Sequence, residues 1–280
     1  MRVSIVIACL NGGAVLARCL DSIAGQTFTD IEVIVADGAS SDGSTEILHR
    51  YSETFGAALV WFSEPDRGIA DAWNKAVVRA TGDWLLFIGS DDALASPTVI
   101  VEAASRLALA DRDCRIAYGR VLLVDDAGRV QETLGRSWSA RDFRGCRFNL
   151  PHQGVFHRHA LFEGGARFDT SYSIVSDFDF LLRELMFAEP MDIGDLVVCR
   201  MRVGGISNRP QWAPRGIAEQ IRLYRRHVGG ISPILYWDMV KAWIKVALWL
   251  LGGDALVSWA RGVYRGRFLR AVRPPVRKES

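Results

Sequence analysis

Trp84-Leu85-Leu86-Phe87-Ile88-Gly89-Ser90-Asp91-Asp92 runs from an uninterrupted apolar stretch straight into two adjacent carboxylates. A continuous apolar run of this kind reads as a strand buried on both faces. In an open α/β sheet, ligands bind in the crevice beyond the carboxyl ends of the strands. Two like charges at that lip repel each other unless a cation or another positive group stands opposite. The pair admits two readings. Either it belongs to a metal-assisted site, or it caps a helix over Ala93 to Leu109, a job for which one aspartate suffices.

Val3–Ala8, Ile31–Ala36 and Ala58–Phe62 are apolar runs like Trp84–Ile88, and Ala14–Ala24, Ser44–Tyr51 and Ile69–Ala80 between them carry helical spacing. Strands alternating with helices predict βαβ units, hence an α/β fold with a mostly parallel central sheet flanked by helices. Arg115–Val124 and Arg129–Thr133 read as a hairpin turning through Asp125-Asp126-Ala127-Gly128. Further on, Ser137–Leu150 reads as loop, Asp177–Phe187 as a short amphipathic helix, and Asp195–Arg202 as a strand closed by Gly204-Gly205. No internal repeat or low-complexity linker separates the two halves.

The chain has 280 residues, 49% hydrophobic and 24% charged, which is long enough for a large core and too apolar for disorder. Its five cysteines, Cys9, Cys19, Cys114, Cys146 and Cys199, show no paired spacing, and no Cys/His cluster suits zinc. Cys9 and Cys199 lie in apolar runs and read as buried thiols of a reducing compartment. Met1–Ala8 is too short an apolar stretch for a signal peptide, so the start reads as the first strand of a cytoplasmic protein.

Three polar segments follow strand ends. After the first strand, Cys9-Leu10-Asn11-Gly12-Gly13 is a strand–turn–helix whose backbone N–H groups could face an anion. It lacks both the GxGxxG spacing and the Gly-Lys-Ser/Thr of a P-loop. After the second strand, Asp37 stands in Asp37-Gly38-Ala39-Ser40-Ser41-Asp42-Gly43-Ser44, where a carboxylate can accept from a base N–H or a ribose hydroxyl. Asp42 reads as a turn or cap residue. The third segment gathers Asp66, Arg67, Asp71, Asn74 and Lys75 at a strand-to-helix junction; Asp71, Asn74 and Lys75 share one helical face, which a solvated surface would also explain.

Taken in order, Val3–Asn11, Val35–Ser44, Glu64–Gly68 with Asp71–Lys75, and Gly82–Asp92 resemble the family 2 glycosyltransferases, which have the GT-A fold. The resemblance covers about the first 125 residues closely and continues more loosely to about Gly205. It implies an inverting transferase moving a sugar from a nucleotide-sugar donor, UDP- or dTDP-linked, to an acceptor hydroxyl in bacterial surface polysaccharide or lipopolysaccharide assembly. It also implies roles. Leu10, Asn11, Asp37, Asp66, Arg67, Asp71, Asn74, Lys75, Ser90 and Asp91 would line the donor, with Asp37 holding the base. Asp91 and Asp92 would hold Mg²⁺ or Mn²⁺, Asp91 as the main ligand, although Gly89 replaces the acid often found first. His152 and Gln153 would lie on the acceptor side. Asp177 would be the base, with Ser176 as helix N-cap and the helix dipole keeping the Asp177 pKa low, while Asp179 pairs with Arg183 at i+4.

Two other classes remain open to the sequence. A sugar nucleotidyltransferase would share the acidic site but needs a basic residue in the first loop, which Asn11-Gly12-Gly13-Ala14 lacks. A non-catalytic nucleotide-sugar-binding protein would not need Asp177. The expected organisation is a catalytic domain over 1–210 and a helical extension with a basic tail over 211–280. In that extension Trp237, Trp243, Trp249 and Trp259 accompany the apolar run Val246–Leu251, and Arg261, Arg265, Arg267, Arg270, Arg273, Arg277 and Lys278 follow. Tryptophan with arginine suits a peripheral helix on the inner face of the cell membrane, and a packed core helix or dimer contact equally. The acidic first half offers no patch for nucleic acid.

Overall fold

Val3–Cys9 (β1), Ile31–Asp37 (β2), Leu59–Ser63 (β3) and Trp84–Gly89 (β4) pair in parallel in the order β3-β2-β1-β4. They alternate with Leu16–Ala24 (α1), Ser44–Phe55 (α2) and Ile69–Val77 (α3), so the βαβ pattern legible in the sequence is the architecture of the first half. This computed structural model describes residues 1–144, 150–203, 212–227, 229, 237, 240–253 and 256–257. Two compact units are present, Met1–Gly205 and Ile206–Ser280. The expected boundary at 210/211, Gly204-Gly205, Cys146 and the basic tail lie outside the described residues.

The second half of the sheet is mixed rather than parallel. Short Ala93–Leu94 (β5) precedes Val99–Leu107 (α4); Ile116–Val124 (β6) and Val130–Leu134 (β7) form the expected hairpin. Val155–Arg158 (β8) lies antiparallel between β4 and β6, and Met191–Arg202 (β9) runs parallel to β6 and antiparallel to β5. The full order is β3-β2-β1-β4-β8-β6-β9-β5, with β7 on β6. Three short helices fill the connections: Ala140–Arg144 (α5), Ala160–Glu163 (α6) and Ser176–Leu185 (α7). In the second unit Ala213–His227 (α8) and residues 240–253 are helical.

Burial follows the period of two in the strands. On β4, Trp84, Leu86 and Ile88 face a cluster with Leu16, Leu20 and Ile23 of α1 and Val99, Ile100 and Ala103 of α4. Leu85 and Phe87 face the other way, among Ala72, Trp73 and Ala76 of α3 and Phe180, Leu181 and Leu185 of α7. Both faces of the sheet are thus covered, which is why these strands read as unbroken apolar runs. Cys9, Cys19 and Cys199 are buried free thiols, pushed to high pKa by burial.

At the amino ends of β1 and β2, buried Glu32 accepts from Ser4 Oγ (2.5 Å), Thr81 N (2.5 Å), Thr81 Oγ1 (2.8 Å) and Gly82 N (2.9 Å). Desolvation works against the charged form, but these donors win and hold Glu32 below the ordinary glutamate range. Its stabilising effect is therefore present above the unfolded pKa and lost as pH falls through the folded one. Glu32→Ala leaves buried donors unpaired and is expected to cost about 2–4 kcal/mol at neutral pH. Urea unfolding checks this, and the gap to wild type should narrow below about pH 4.

Candidate active site at the carboxyl ends of the parallel strands

The register Ala8↔Gly89, Cys9↔Asp37 and Asp37↔Ser63 sets the ends of four parallel strands side by side. The loops that leave them carry most of the sequence-predicted residues. Leu10, 61% exposed, is an unusual apolar side chain to leave in solvent at a strand end. Its Cδ1 lies 3.3 Å and Asp66 Oδ2 2.5 Å from where a Cβ on Gly38 would stand. Only a residue without a side chain lets the loops after β1, β2 and β3 close into one corner there. Asp66 Oδ1 accepts from Gly68 N at 2.8 Å, which fixes that carboxylate at the mouth of α3.

Asp37 is buried, and its carboxylate accepts from Ser40 N (2.9 Å), Ser40 Oγ (2.5 Å) and Ser63 Oγ (2.6 Å). An ionised carboxylate has about four acceptor sites, so Asp37 is rigidly oriented with room for one further donor. Ala39 holds φ at 61°, a left-handed conformation alanine rarely adopts, within this same loop.

The backbone N–H groups expected to face an anion do not. Asn11 N donates to Ser40 Oγ (2.7 Å), Gly12 N to Ser44 Oγ (3.0 Å) and Gly13 N to Asp42 Oδ2 (2.8 Å). Asn11 Oδ1 also accepts from Ser41 N (3.1 Å). The second loop carries enough side-chain oxygens to capture the first loop's donors, so the two lock together. Asp42 serves this brace.

At the end of β4 the helix-cap explanation fails, because Ala93–Leu94 is a strand and α4 opens only at Val99. Asp92 is buried and its Oδ2 accepts from Gly89 N at 2.8 Å, while Asp91 is half-buried. A Cβ on Gly89 would stand 2.7 Å from Asp91 Oδ1 and 3.0 Å from Asp92 Oδ2, so the two carboxylates converge over this glycine. Burial, then the neighbouring Asp91 charge, pushes the Asp92 pKa up to about 7. Arg18, exposed on α1, donates to the Asp91 carbonyl oxygen. The sequence signal for Arg18 was a lone base on a helix whose Leu16, Cys19, Leu20 and Ile23 are buried.

Two hard carboxylates fit a hard divalent cation. Among the described residues no group of three or more His, Cys, Asp or Glu could hold an ion unaided. Such a pair suits an ion that takes its remaining oxygens from phosphate and water.

Buried Asp71 and half-buried Lys75 join an ion-pair network at the start of α3. Asp71 pairs with Arg67 Nη2 (3.1 Å) and Lys75 Nζ (3.4 Å), and Lys75 also pairs with Glu64 (3.0 Å). Desolvation of Asp71 is outweighed by the Arg67 backbone N–H and guanidinium and by Lys75, which lower its pKa. Asn74 turns elsewhere: it bonds Phe168 O (2.8 Å) and Phe168 N (2.9 Å), tying α3 to the segment before α7.

His152 sits in the core. It stacks on Phe87 (centroids 5.3 Å apart) and packs against Trp73 and Phe168, and its Nε2 lies 3.1 Å from His157 Nε2. Desolvation pulls the His152 pKa down to about 3 and that of His157 well below its ordinary value. Gln153, in the same turn, keeps partial exposure. The partner His157, on β8, is a residue sequence reading missed, since nothing in its spacing points to His152.

Asp177 is partly exposed in the first turn of α7. Ser176 is the first helical residue rather than the N-cap, a position taken by Val175 with no side-chain cap. The expected low pKa is also corrected: desolvation outweighs the bond from Phe178 N (2.8 Å) and pushes Asp177 up to about 6. Among the described residues no cation pairs with it. Asp179 forms the predicted i,i+4 pair with Arg183, at 2.9 Å.

Residues 4–159 match the model of glycosyl transferase family 2. A "PGL/p-HBAD biosynthesis glycosyltransferase" of Mycobacterium bovis is 31% identical over 267 residues, 92% of this chain and 97% of the relative. Two solved structures share the fold. The mannosyltransferase PcManGT from Pyrobaculum calidifontis, in complex with GDP-Man and Mn²⁺, superposes with a TM-score of 0.62 at 21% identity over 98% of this chain and 81% of that one. S. aureus TarS 1–349, in complex with UDP-GlcNAc, gives 0.61 at 17% identity over 86% and 71%, and of the longer TarS chain this one spans 39%.

A carboxyl group whose folded pKa is raised stabilises the fold below its unfolded pKa and loses that contribution as pH rises through the folded one. Asp177→Asn is therefore expected to raise stability at pH 8, by about 1 kcal/mol after discounting for exposure, or about 2–4 °C in melting temperature. The gain should shrink as pH is lowered through about 6. Melting curves across pH, recorded without ligand, check it.

Proposed function

This chain belongs to glycosyltransferase family 2, and from that premise we propose that it transfers a sugar from a nucleoside diphosphate donor to an acceptor hydroxyl with inversion at the anomeric carbon. The observation carrying the proposal is the shared rim: Leu10, Asp37, Asp66 and the Asp91–Asp92 pair all leave parallel strands at the same edge. The corner of Leu10, Gly38 and Asp66 suits a nucleoside, with Leu10 as apolar contact and the carboxylates as acceptors for base or ribose donors. Complexes of the neighbours with UDP-GlcNAc and with GDP-Man support a nucleotide-sugar donor.

Asp91 is the oxygen ligand open enough to reach a bound Mg²⁺ or Mn²⁺. Asp92, folded back on Gly89 N–H, braces it from below. When bound, such an ion neutralises charge that builds on the departing diphosphate oxygen. The Mn²⁺ in the mannosyltransferase neighbour is in keeping with this. Arg18 holds the Asp91 backbone in place from outside.

Asp177 is the base. Its carboxylate takes the acceptor hydroxyl proton while the acceptor oxygen bonds to the anomeric carbon and the bond to the diphosphate oxygen breaks, leaving its electron pair on phosphate. A pKa near 6 makes Asp177 a better proton acceptor than an ordinary aspartate, yet leaves it ionised at neutral pH. The mycobacterial relative's name supports a cell-surface glycan or glycolipid as acceptor.

Thermal shifts with UDP-, dTDP- and GDP-sugars, with and without Mn²⁺, test the assignment. One donor should stabilise the wild type only with metal. Asp91→Asn should abolish that shift, whereas Asp177→Asn should keep it and reduce turnover by about 10³-fold. The wild-type rate should climb as pH rises through about 6. Equal loss of donor binding in both variants would overturn the division of roles.

A further inference from the structure

The helix over 240–253 turns an apolar face outward. Val240, Trp243, Ile244, Ala247, Leu250 and Leu251 recur at i, i+3, i+4, i+7, i+10 and i+11, and all are exposed; Trp243 is 57%, Leu250 73% and Leu251 81% accessible. That spacing is the apolar stripe a globular helix normally buries. Here Ala242 is the buried residue and the stripe is on the solvent side. Trp237, 60% exposed, precedes it. Among the described residues no helix is long and apolar enough to cross a membrane.

We propose that this face lies flat on an anionic lipid bilayer, its tryptophans and leucines in the headgroup region and the basic tail against the lipid charge. Charge selects the bilayer over a second copy of the chain. Residues 261–280 contain Arg261, Arg265, Arg267, Arg270, Arg273, Arg277 and Lys278 against one acid, Glu279. Since the whole chain carries only +2, the remainder is net acidic, and the positive charge is concentrated in the twenty residues that soon follow the apolar face. A second copy of the chain carries +2 overall and offers these side chains no net attraction. An anionic surface attracts every one of these side chains within a Debye length. Apolar insertion and a polybasic segment are the two signals that together give lasting peripheral attachment where one alone is marginal. Tryptophan suits that depth because its ring is apolar and its N–H polar.

The full chain is mixed with phosphatidylcholine vesicles with and without phosphatidylglycerol. It should sediment with the anionic vesicles, dissociate as salt is raised, and shift its tryptophan emission to the blue. Brominated lipids should quench that emission, a reading that needs no mutation. Trp243→Glu with Leu251→Glu should lower the partition at least tenfold while circular dichroism and the donor-induced melting shift remain; Arg261, Arg265 and Arg267 changed together to Gln should weaken it and flatten its salt dependence. Absence of sedimentation and quenching overturns the proposal. If the wild type is then a dimer that Trp243→Glu dissociates, the face joins two copies; if it is a monomer, the chain's own tail covers it.

Discussion

Two carboxylates pressed together at the edge of an apolar sheet are the constraint around which the rest of the rim is arranged. Asp91 and Asp92 repel each other, and Asp92 is buried besides, so both effects raise the energy of the doubly charged state. The chain does not relieve this by spreading them apart. Gly89 removes the side chain that would have separated them, its N–H anchors Asp92, and Arg18 fixes the Asp91 backbone. Such an arrangement is relieved by a proton on Asp92 or by positive charge opposite the pair. The strands beneath are rigid because both faces are packed, so the repulsion cannot be dissipated by backbone movement.

The same rigidity extends to the neighbouring loops by a different device. Ser40, Ser41, Asp42 and Ser44 grip the backbone and side chain of Asn11 to Gly13, so the loops after β1 and β2 behave as one body. This spends donors that an anion might have used, and it sets Leu10 and Asp37 in fixed positions. Binding a nucleotide on such a surface orders little that is not already ordered, which is how preorganisation raises affinity. Ala39 in a left-handed conformation shows that the loop tolerates local strain to keep this shape.

How far the sequence revealed all this depended on the range of the interaction. The four parallel strands and α1 to α3 were legible because apolar period and polar loop chemistry are local. Asp91-Asp92 stood out because two acids end an apolar strand. The mixed half of the sheet was not legible: the pairing of β8 between β4 and β6, and the bending of β9 between two partners, rest on contacts between residues far apart in the chain. The same holds for Asn74, whose polar spacing with Asp71 and Lys75 suggested a common face, but whose amide is taken up by Phe168, ninety-four residues on. Asp177 illustrates a different limit. Its position at a helix start argued for a low pKa, and only three-dimensional packing shows that desolvation exceeds the pull of the Phe178 and Asp177 backbone N–H groups there.

Burial also decides which titratable group can handle the acceptor's proton. His152 and His157 are enclosed by Phe87, Phe168 and neighbouring rings, and among the described residues no carboxylate acts on either to stabilise an imidazolium. At about 3, His152 is too weak a base to take a proton at neutral pH. The pair works instead as packing, linking the turn that carries Gln153 to β8. Asp92 has a raised pKa but is buried and bonded to Gly89 N–H, so it offers no path to an acceptor. Asp179 is bound to Arg183 and lies inside. Asp177 alone among these joins a raised pKa to partial exposure with, among the described residues, no cationic partner. A general base must be reachable before its pKa matters, and of these groups Asp177 is the one that meets the condition; Ser176, a small neutral residue buried at the start of α7, places no second charge directly beside it.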